Sequence, residues 1–134
     1  MRNLAIHALA LGAGLVFGTS ALAEDMTHAQ YESQEQSIKA DYKAAKARCD
    51  AMKGHAEDVC EAEAKGNASV ARAELEARHE PTARNIEDAR KARAEATYSV
   101  AMERCDDKSG SAEDVCKKDA KAALADAKAR LAQH

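Results

Sequence analysis

The chain has 134 residues and a formal net charge of −3, with 32% charged residues and only 3% aromatic residues. Beyond residue 23 it contains 27 Ala, only 9 Leu, Ile or Val, and neither Phe nor Trp. This composition argues against a large core, a ring-lined pocket for a small-molecule substrate, and stacking of nucleic-acid bases. Since no basic stripe is present either, we expect no nucleic-acid partner.

The first 23 residues have the pattern of a secretory signal peptide. Arg2 supplies a positive charge, an apolar stretch runs from Leu4 to Gly18, and Ala21-Leu22-Ala23 fits the small-x-small cleavage rule. About fifteen apolar residues are too few to cross a hydrocarbon core of roughly 30 Å. We therefore predict cleavage after Ala23, a periplasmic or secreted product, and no membrane span after cleavage.

A unit of 56 residues occurs twice in the remaining chain. Shifting the sequence by this length aligns Arg48-Cys49-Asp50 with Arg104-Cys105-Asp106, and the segment 56–60 with 112–116. Residues 42–78 and 98–134 are identical at 16 of 37 positions, including all four Cys. The match indicates a duplication, so we predict two repeats, 24–80 and 81–134.

Each repeat has the pattern of a helix, a tight turn and a second helix, which predicts an all-α protein of two helical hairpins. Apolar residues recur at steps of three and four, and isolated β-branched residues give strands no support. Gly54 and Gly110 are predicted at the C′ position of the first helix of each hairpin, and Ser111 with Asp114 resembles a capping box. Gly66-Asn67 is the predicted weak point of the second helix. The other helices are predicted from about Ala56 to Arg78, from about Thr82 to Asp107, and towards Leu131.

Acid-before-base pairs four residues apart support helices that need little burial. Each pair adds only about 0.2 to 0.5 kcal/mol, and the abundant Ala adds to helix propensity. The predicted pairs are Glu35/Lys39, Glu61/Lys65, Glu74/Arg78, Glu113/Lys117, Asp114/Lys118 and Asp126/Arg130.

The four Cys allow three disulfide pairings, and their spacing about the turns selects one. Cys49 and Cys60 are equidistant from a turn centred after Gly54, and Cys105 and Cys116 straddle Gly110 in the same way. Both members of a pair then lie at one height of an antiparallel hairpin, which predicts the bridges Cys49–Cys60 and Cys105–Cys116.

Such bridges need close helices and therefore small neighbours. Cα atoms joined through a disulfide lie about 4.4 to 6.8 Å apart, whereas helix axes usually lie 8 to 10 Å apart. Ala45 with Ala64, and Ala101 with Ala120, supply small residues one turn from the bridges. A zinc site and a redox-active pair are two alternative uses of the Cys. Zinc ligands usually have two to four residues between neighbouring Cys, and redox-active pairs use Cys-x-x-Cys, so neither fits a spacing of ten.

Other residue types give weaker signals. Met26 with His28, and Met52 with His55, are combinations that suit copper, although Met52 also fits the hairpin seam. Tyr42 and Tyr98 occupy equivalent places in the two repeats, where they either cap the cores or contact a partner. We find no nucleophile with a base, no phosphate loop and no paired carboxylates in an apolar setting. We therefore expect no enzyme activity and no cofactor.

The stretches 40–49 and 120–130 are similar to the Ala/Lys/Glu-rich helical stalk of the envelope protein TolA. The chain also resembles a group of small secreted proteobacterial proteins with a repeated Tyr-Lys-x-Ala-Lys-x-x-Cys-Asp pattern, which begins here at Tyr42. The second copy of the pattern has Ser99 and Met102 in place of Lys. The resemblance implies an Ala-rich helical protein of the cell envelope and assigns it no activity.

Three functions are compatible with these features. The first is a structural or protein-interaction role in the envelope, through contact with a protein partner or self-association. The second is stress protection or holdase activity, and the third is weak buffering of copper or zinc. The sequence leaves open whether the two hairpins form a four-helix bundle or an extended coiled-coil-like arrangement.

Overall fold

A computed structural model describes residues 26–133. The predicted signal peptide, residues 1–23, lies outside the described residues. The first two residues of the first predicted repeat, 24 and 25, also lie outside them. The described chain consists of four helices without strands, and the prediction of an all-α fold is confirmed. The helices are α1 (His28–Cys49), α2 (His55–His79), α3 (Ala83–Cys105) and α4 (Ser111–Leu131).

Side-chain caps begin α1 and α3. The Thr27 hydroxyl accepts a hydrogen bond from the Gln30 backbone N–H at 3.3 Å, and the Gln30 side chain accepts one from the Thr27 N–H at 2.8 Å. This reciprocal capping box satisfies two helix-end donors. Thr82 caps α3 by accepting from the Asn85 N–H at 3.1 Å. Pro81 directly precedes Thr82. The residue before this proline, Glu80, has an extended backbone, and α2 ends there.

The two turns share one geometry, which corrects the predicted role of their glycines. Gly54 has φ +60° and ψ −143°, and Gly110 has φ +59° and ψ −138°. Each glycine is the N-cap of the helix that follows, because α1 and α3 already end at Cys49 and Cys105. The prediction of a capping box at Ser111 is also wrong, because Ser111 is already inside α4 and no side chain caps this helix. The backbone still requires glycine, because other residues rarely adopt this positive φ.

The helices pack only with their neighbours in sequence. α1 packs against α2, α2 against α3, and α3 against α4, and no other pair of these helices has Cα atoms within 8 Å. The four helices therefore form an open array with α2 and α3 in the centre. This arrangement is neither a closed four-helix bundle nor two separate hairpins.

Gly66 lies at a close approach of the two central helices. A Cβ atom at this position would lie 2.9 Å from the Cβ of Ala96. Gly66, Ala64, Ala68 and Ala89 are all buried, and Leu75 is only 1% exposed. The predicted weak point of α2 is thus a packing position. Because these residues are small, the backbones of α2 and α3 come close together. Contacts made through this close approach take the place of contacts between bulky side chains.

Candidate functional site

Both predicted disulfides are present, and they join the two helices of each hairpin. The Cα atoms are 5.5 Å apart in Cys49–Cys60 and 5.6 Å apart in Cys105–Cys116. Cys49 and Cys105 are 0% and 1% exposed. All four Cys of the chain are bonded, so none is free.

The small residues beside the bridges lie where close helix approach requires them. Ala64 and Ala120 are buried. Ala45 and Ala101 are half-buried. With side chains of one carbon, these positions allow the helices to come together at the sulfur atoms.

A lysine crosses from α1 to α2 next to the first bridge. The Lys46 ammonium lies 3.2 Å from the Asp50 carboxylate and 2.6 Å from that of Glu61. Hydrogen bonds to Glu61 and then to Asp50 raise the pKa of Lys46 above its usual value. Lys46 therefore keeps its charge at physiological pH and joins the end of α1 to the start of α2.

The second bridge has the same arrangement with its lysine on the opposite helix. Lys117 of α4 lies 2.6 Å from both Asp106 and Glu113. Hydrogen bonds to Asp106 and Glu113 raise the pKa of Lys117. In the repeat alignment Lys117 corresponds to Glu61, and Lys46 corresponds to Met102. The two hairpins thus neutralise equivalent aspartates from different sides.

One group of carboxylates has the spacing of metal ligands. Among the described residues, oxygen atoms of Asp50, Glu57 and Glu61 lie within 4.8 Å of one another. Lys46 already bonds two of these three side chains, so the group forms an ion-pair cluster. It contains none of the His or Met residues on which the copper prediction rests. The copper and zinc predictions remain predictions.

The open ends of α1 and α2 carry a cluster that the sequence analysis missed. The Tyr31 hydroxyl donates to the Glu76 carboxylate at 2.9 Å, and the Tyr31 ring packs on His79 with centroids 4.6 Å apart. The hydrogen bond to Glu76 raises the pKa of Tyr31, as do burial and the nearby charges of Glu76, Glu35 and Glu80. The available signal was Tyr31 itself, which is in phase with the apolar seam of α1.

Ion pairs between helices replace two of the six predicted pairs within helices, and two others, Asp114/Lys118 and Asp126/Arg130, form no ion pair within residues 26–133. Glu35/Lys39 and Glu113/Lys117 form as predicted. Glu61 and Glu74 instead bond lysine and arginine side chains of neighbouring helices. Contacts across α2 and α3 or across α3 and α4 are Glu74–Arg93, Glu63–Arg104 and Glu95–Lys128.

The two candidate contact tyrosines have different surroundings. Tyr42 lies at the edge of a groove over α2, between α1 and α3, whose floor includes Ala64 and Gly66. Tyr98 is half-buried on α3 and does not line this groove. The structure therefore does not bring the two side chains into one site. Their role as partner contacts remains a prediction.

The structure is that of an extracytoplasmic helical protein in which a disulfide closes the turn end of each hairpin. Two disulfides indicate an oxidising environment outside the cytoplasm. No family model, curated protein or solved structure matches this chain. None of the helices within residues 26–133 combines the length and the hydropathy of a membrane span.

Proposed function

We propose that this chain is a non-enzymatic periplasmic or secreted protein that acts by protein–protein contact in the cell envelope. The signal-peptide pattern of residues 1–23 supports the location, together with the bridges that need an oxidising compartment. The contact surface in this proposal is the outer face of α1.

The observation that carries this proposal is that α1 packs on α2 alone. Five small residues follow its outer face at steps of three and four, and all are exposed. They are Ser33, Ser37, Ala40, Ala44 and Ala47. A face of this shape allows close approach of another helix along residues 33–47 of α1.

Charges beside this face favour a second copy of the chain as one partner. Asp41, Lys43 and Arg48 are exposed and form no ion pair within residues 26–133. In an antiparallel pair of α1 helices centred after Ala44, Asp41 would lie at the level of Arg48 of the second copy. Opposite charges beside a helix seam set partner choice and orientation.

Site-specific photocrosslinking in living cells tests this proposal. A photoreactive residue at Ala44 should give a discrete adduct, which mass spectrometry identifies as a second copy or as an envelope protein. The control carries the same residue at Lys91, an exposed position of α3. Ala44→Arg should abolish the self-association measured by sedimentation, while Ala123→Arg on the exposed side of α4 should not. Equal background at both crosslinking sites, together with a monomer in sedimentation, would refute the proposal.

A further inference from the structure

The two central helices form a groove with two adjoining hollows, which we call the α2–α3 groove. Arg93 lines both hollows, so they follow one another along α3. Ile86 is 38% exposed, and Val70 and Val100 are only half-buried, so the chain leaves aliphatic surface uncovered here. The aliphatic side chains belong to Ala77, Ile86 and Ala89 in the first hollow and to Val70, Val100 and Ala101 in the second.

The charged side chains that line this groove are mainly arginines. They are Arg78, Arg90, Arg93 and Arg104, with Glu63 and Glu74. The Arg93 guanidinium donates to Glu74 and that of Arg104 to Glu63, both at 2.6 Å. Arg78 and Arg90 form no ion pair with any carboxylate of residues 26–133. The groove therefore has two cations in excess.

The groove beside Tyr42 has the opposite balance of charge. Gly66 and Ala96 line both grooves, so the two lie on either side of one helix contact. The charged side chains beside Tyr42 are Lys46 and Lys65 with Asp58, Glu61, Glu95 and Glu103. An anionic partner is therefore attracted to the α2–α3 groove and repelled from the other one.

We propose that the α2–α3 groove binds an acidic amphipathic helix, whose aliphatic side chains enter the two hollows and whose carboxylates pair with Arg78 and Arg90. The planar guanidinium group of arginine matches a carboxylate and can bind it through two hydrogen bonds. A helix satisfies its own backbone hydrogen bonds, whereas an extended segment needs a sheet edge, which two helices do not offer.

The spacing of the two hollows also fits a helix. Along α3 they are centred near Ala89 and Val100, 11 residues apart, which is about 16 Å at the rise of an α-helix. A partner helix covers this distance in three turns, so its aliphatic side chains reach both hollows from one face. The ion pair of Arg93 with Glu74 lies where the hollows meet. The alkyl chain of an anionic lipid would have to cross these charges, whereas a helix can place a small residue over them.

A synthetic helix of about 18 residues tests the proposal. It contains Leu at alternating steps of four and three along one face, Glu on both flanks and Ala elsewhere. The purified protein is labelled at the Ile and Val methyl groups and titrated with this peptide in NMR experiments. We expect saturable shifts of Ile86, Val70 and Val100, with a dissociation constant below about 1 mM. Ile38 of α1 lines neither hollow and should not shift.

Matched charge reversals test the role of the arginines. Arg90→Glu should weaken binding of the acidic peptide about tenfold, because one attraction becomes a repulsion. Arg72→Glu makes the same change at an exposed arginine of α2 that lines neither hollow, and it should leave the affinity unchanged. A peptide with Lys in place of Glu should bind Arg90→Glu more tightly than it binds the wild type. Circular dichroism checks that both variants keep their helices.

Three results would overturn the proposal. The first is an acidic peptide that shifts none of the three groove methyl groups. The second is an equal loss of affinity in Arg90→Glu and Arg72→Glu. The third is that dodecanoate shifts the groove methyl groups and the peptide does not, which would assign the groove to an anionic lipid. The outer face of α1 is a separate surface, so crosslinking at Ala44 can fail or succeed independently of these results.

Discussion

At the residue scale, close approach takes over the role that large apolar side chains have in other helical proteins. Gly66 and Ala96 bring α2 and α3 together, and Leu75 is the largest side chain that is fully buried. A glycine inside a helix costs about 1 kcal/mol relative to alanine. At Gly66 the packing of α3 offsets this cost.

Gly66→Ala should therefore destabilise the protein despite the better helix propensity of alanine. The new Cβ would lie 2.9 Å from that of Ala96. Overpacking of this kind costs about 1 to 3 kcal/mol, against a gain of up to about 1 kcal/mol in propensity. The free energy of unfolding, measured in urea, should fall.

Ala96→Gly should relieve the clash. We expect the double variant, Gly66→Ala with Ala96→Gly, to lose less free energy of unfolding than the sum of the losses in the two single variants. Additive effects in this double-mutant cycle would show that Gly66 and Ala96 do not meet.

Tyr31 makes the stability of the folded protein depend on pH in the alkaline range. Its pKa is raised in the folded chain by the hydrogen bond to Glu76, by burial and by nearby carboxylates. Because the folded pKa is the higher one, this contribution to stability is complete below the usual tyrosine pKa of about 10. It is lost as the pH rises through the folded value.

An absorbance titration of tyrosinate should show a late step, above the usual tyrosine pKa, that belongs to Tyr31. Tyr31→Phe should remove this late step, and Tyr98→Phe should leave it. If the late step survives in Tyr31→Phe, the contact with Glu76 does not control this titration.

At the scale of elements, each hairpin is closed by a disulfide and a glycine turn of the same geometry. The bridges have nearly equal Cα separations, and the two glycines have nearly equal backbone angles. Closing a loop of this size contributes on the order of 3 kcal/mol in the chain-entropy model. That is a large share of the stability of a typical domain, which is about 5 to 15 kcal/mol.

Removing either bridge should therefore lower the melting temperature strongly. Cys49→Ala with Cys60→Ala, and Cys105→Ala with Cys116→Ala, should each cost about 2 to 4 kcal/mol in thermal unfolding followed by circular dichroism. The two variants serve as controls for each other, since their bridges have the same loop length. A loss below about 0.5 kcal/mol in both would show that the helices close without their bridges.

At the scale of the whole molecule, the central helices are supported on two sides and the outer helices on one. α2 and α3 each pack against two neighbours, whereas α1 and α4 each have one. The bridges hold only one end of each outer helix. The start of α1 and the end of α4 therefore have the fewest contacts that resist local opening.

Hydrogen exchange followed by mass spectrometry should reveal this order. Amides in the middle of α2 and α3 should exchange most slowly, and those of residues 28–35 and 124–131 most rapidly. Reducing the disulfides should speed exchange mainly near the turns. Equal protection of all four helices would contradict the open array, because a closed bundle supports each helix on two sides.

Much of this fold follows from local features of the sequence. Ala-rich segments, glycines at the turns and Pro81 predict four helices. The equal spacing of Cys49 and Cys60 about their turn predicts the bridges, because one hairpin geometry brings both sulfur atoms to the same height. The helix ends are less certain from sequence, since the first helix of each hairpin ends several residues before the glycine that was predicted to stop it.

The sequence by itself thus determined the helices, the two hairpins and the pairing of the cysteines, because each depends on residues close together in the chain. Only the tertiary structure decided the close contact of Gly66 with Ala96, the partners of Lys46 and Tyr31, and the open order of the helices. These depend on how the faces of two helices meet. A repeating pattern of alanine and charge is compatible with several such meetings, and small differences in side-chain size select among them.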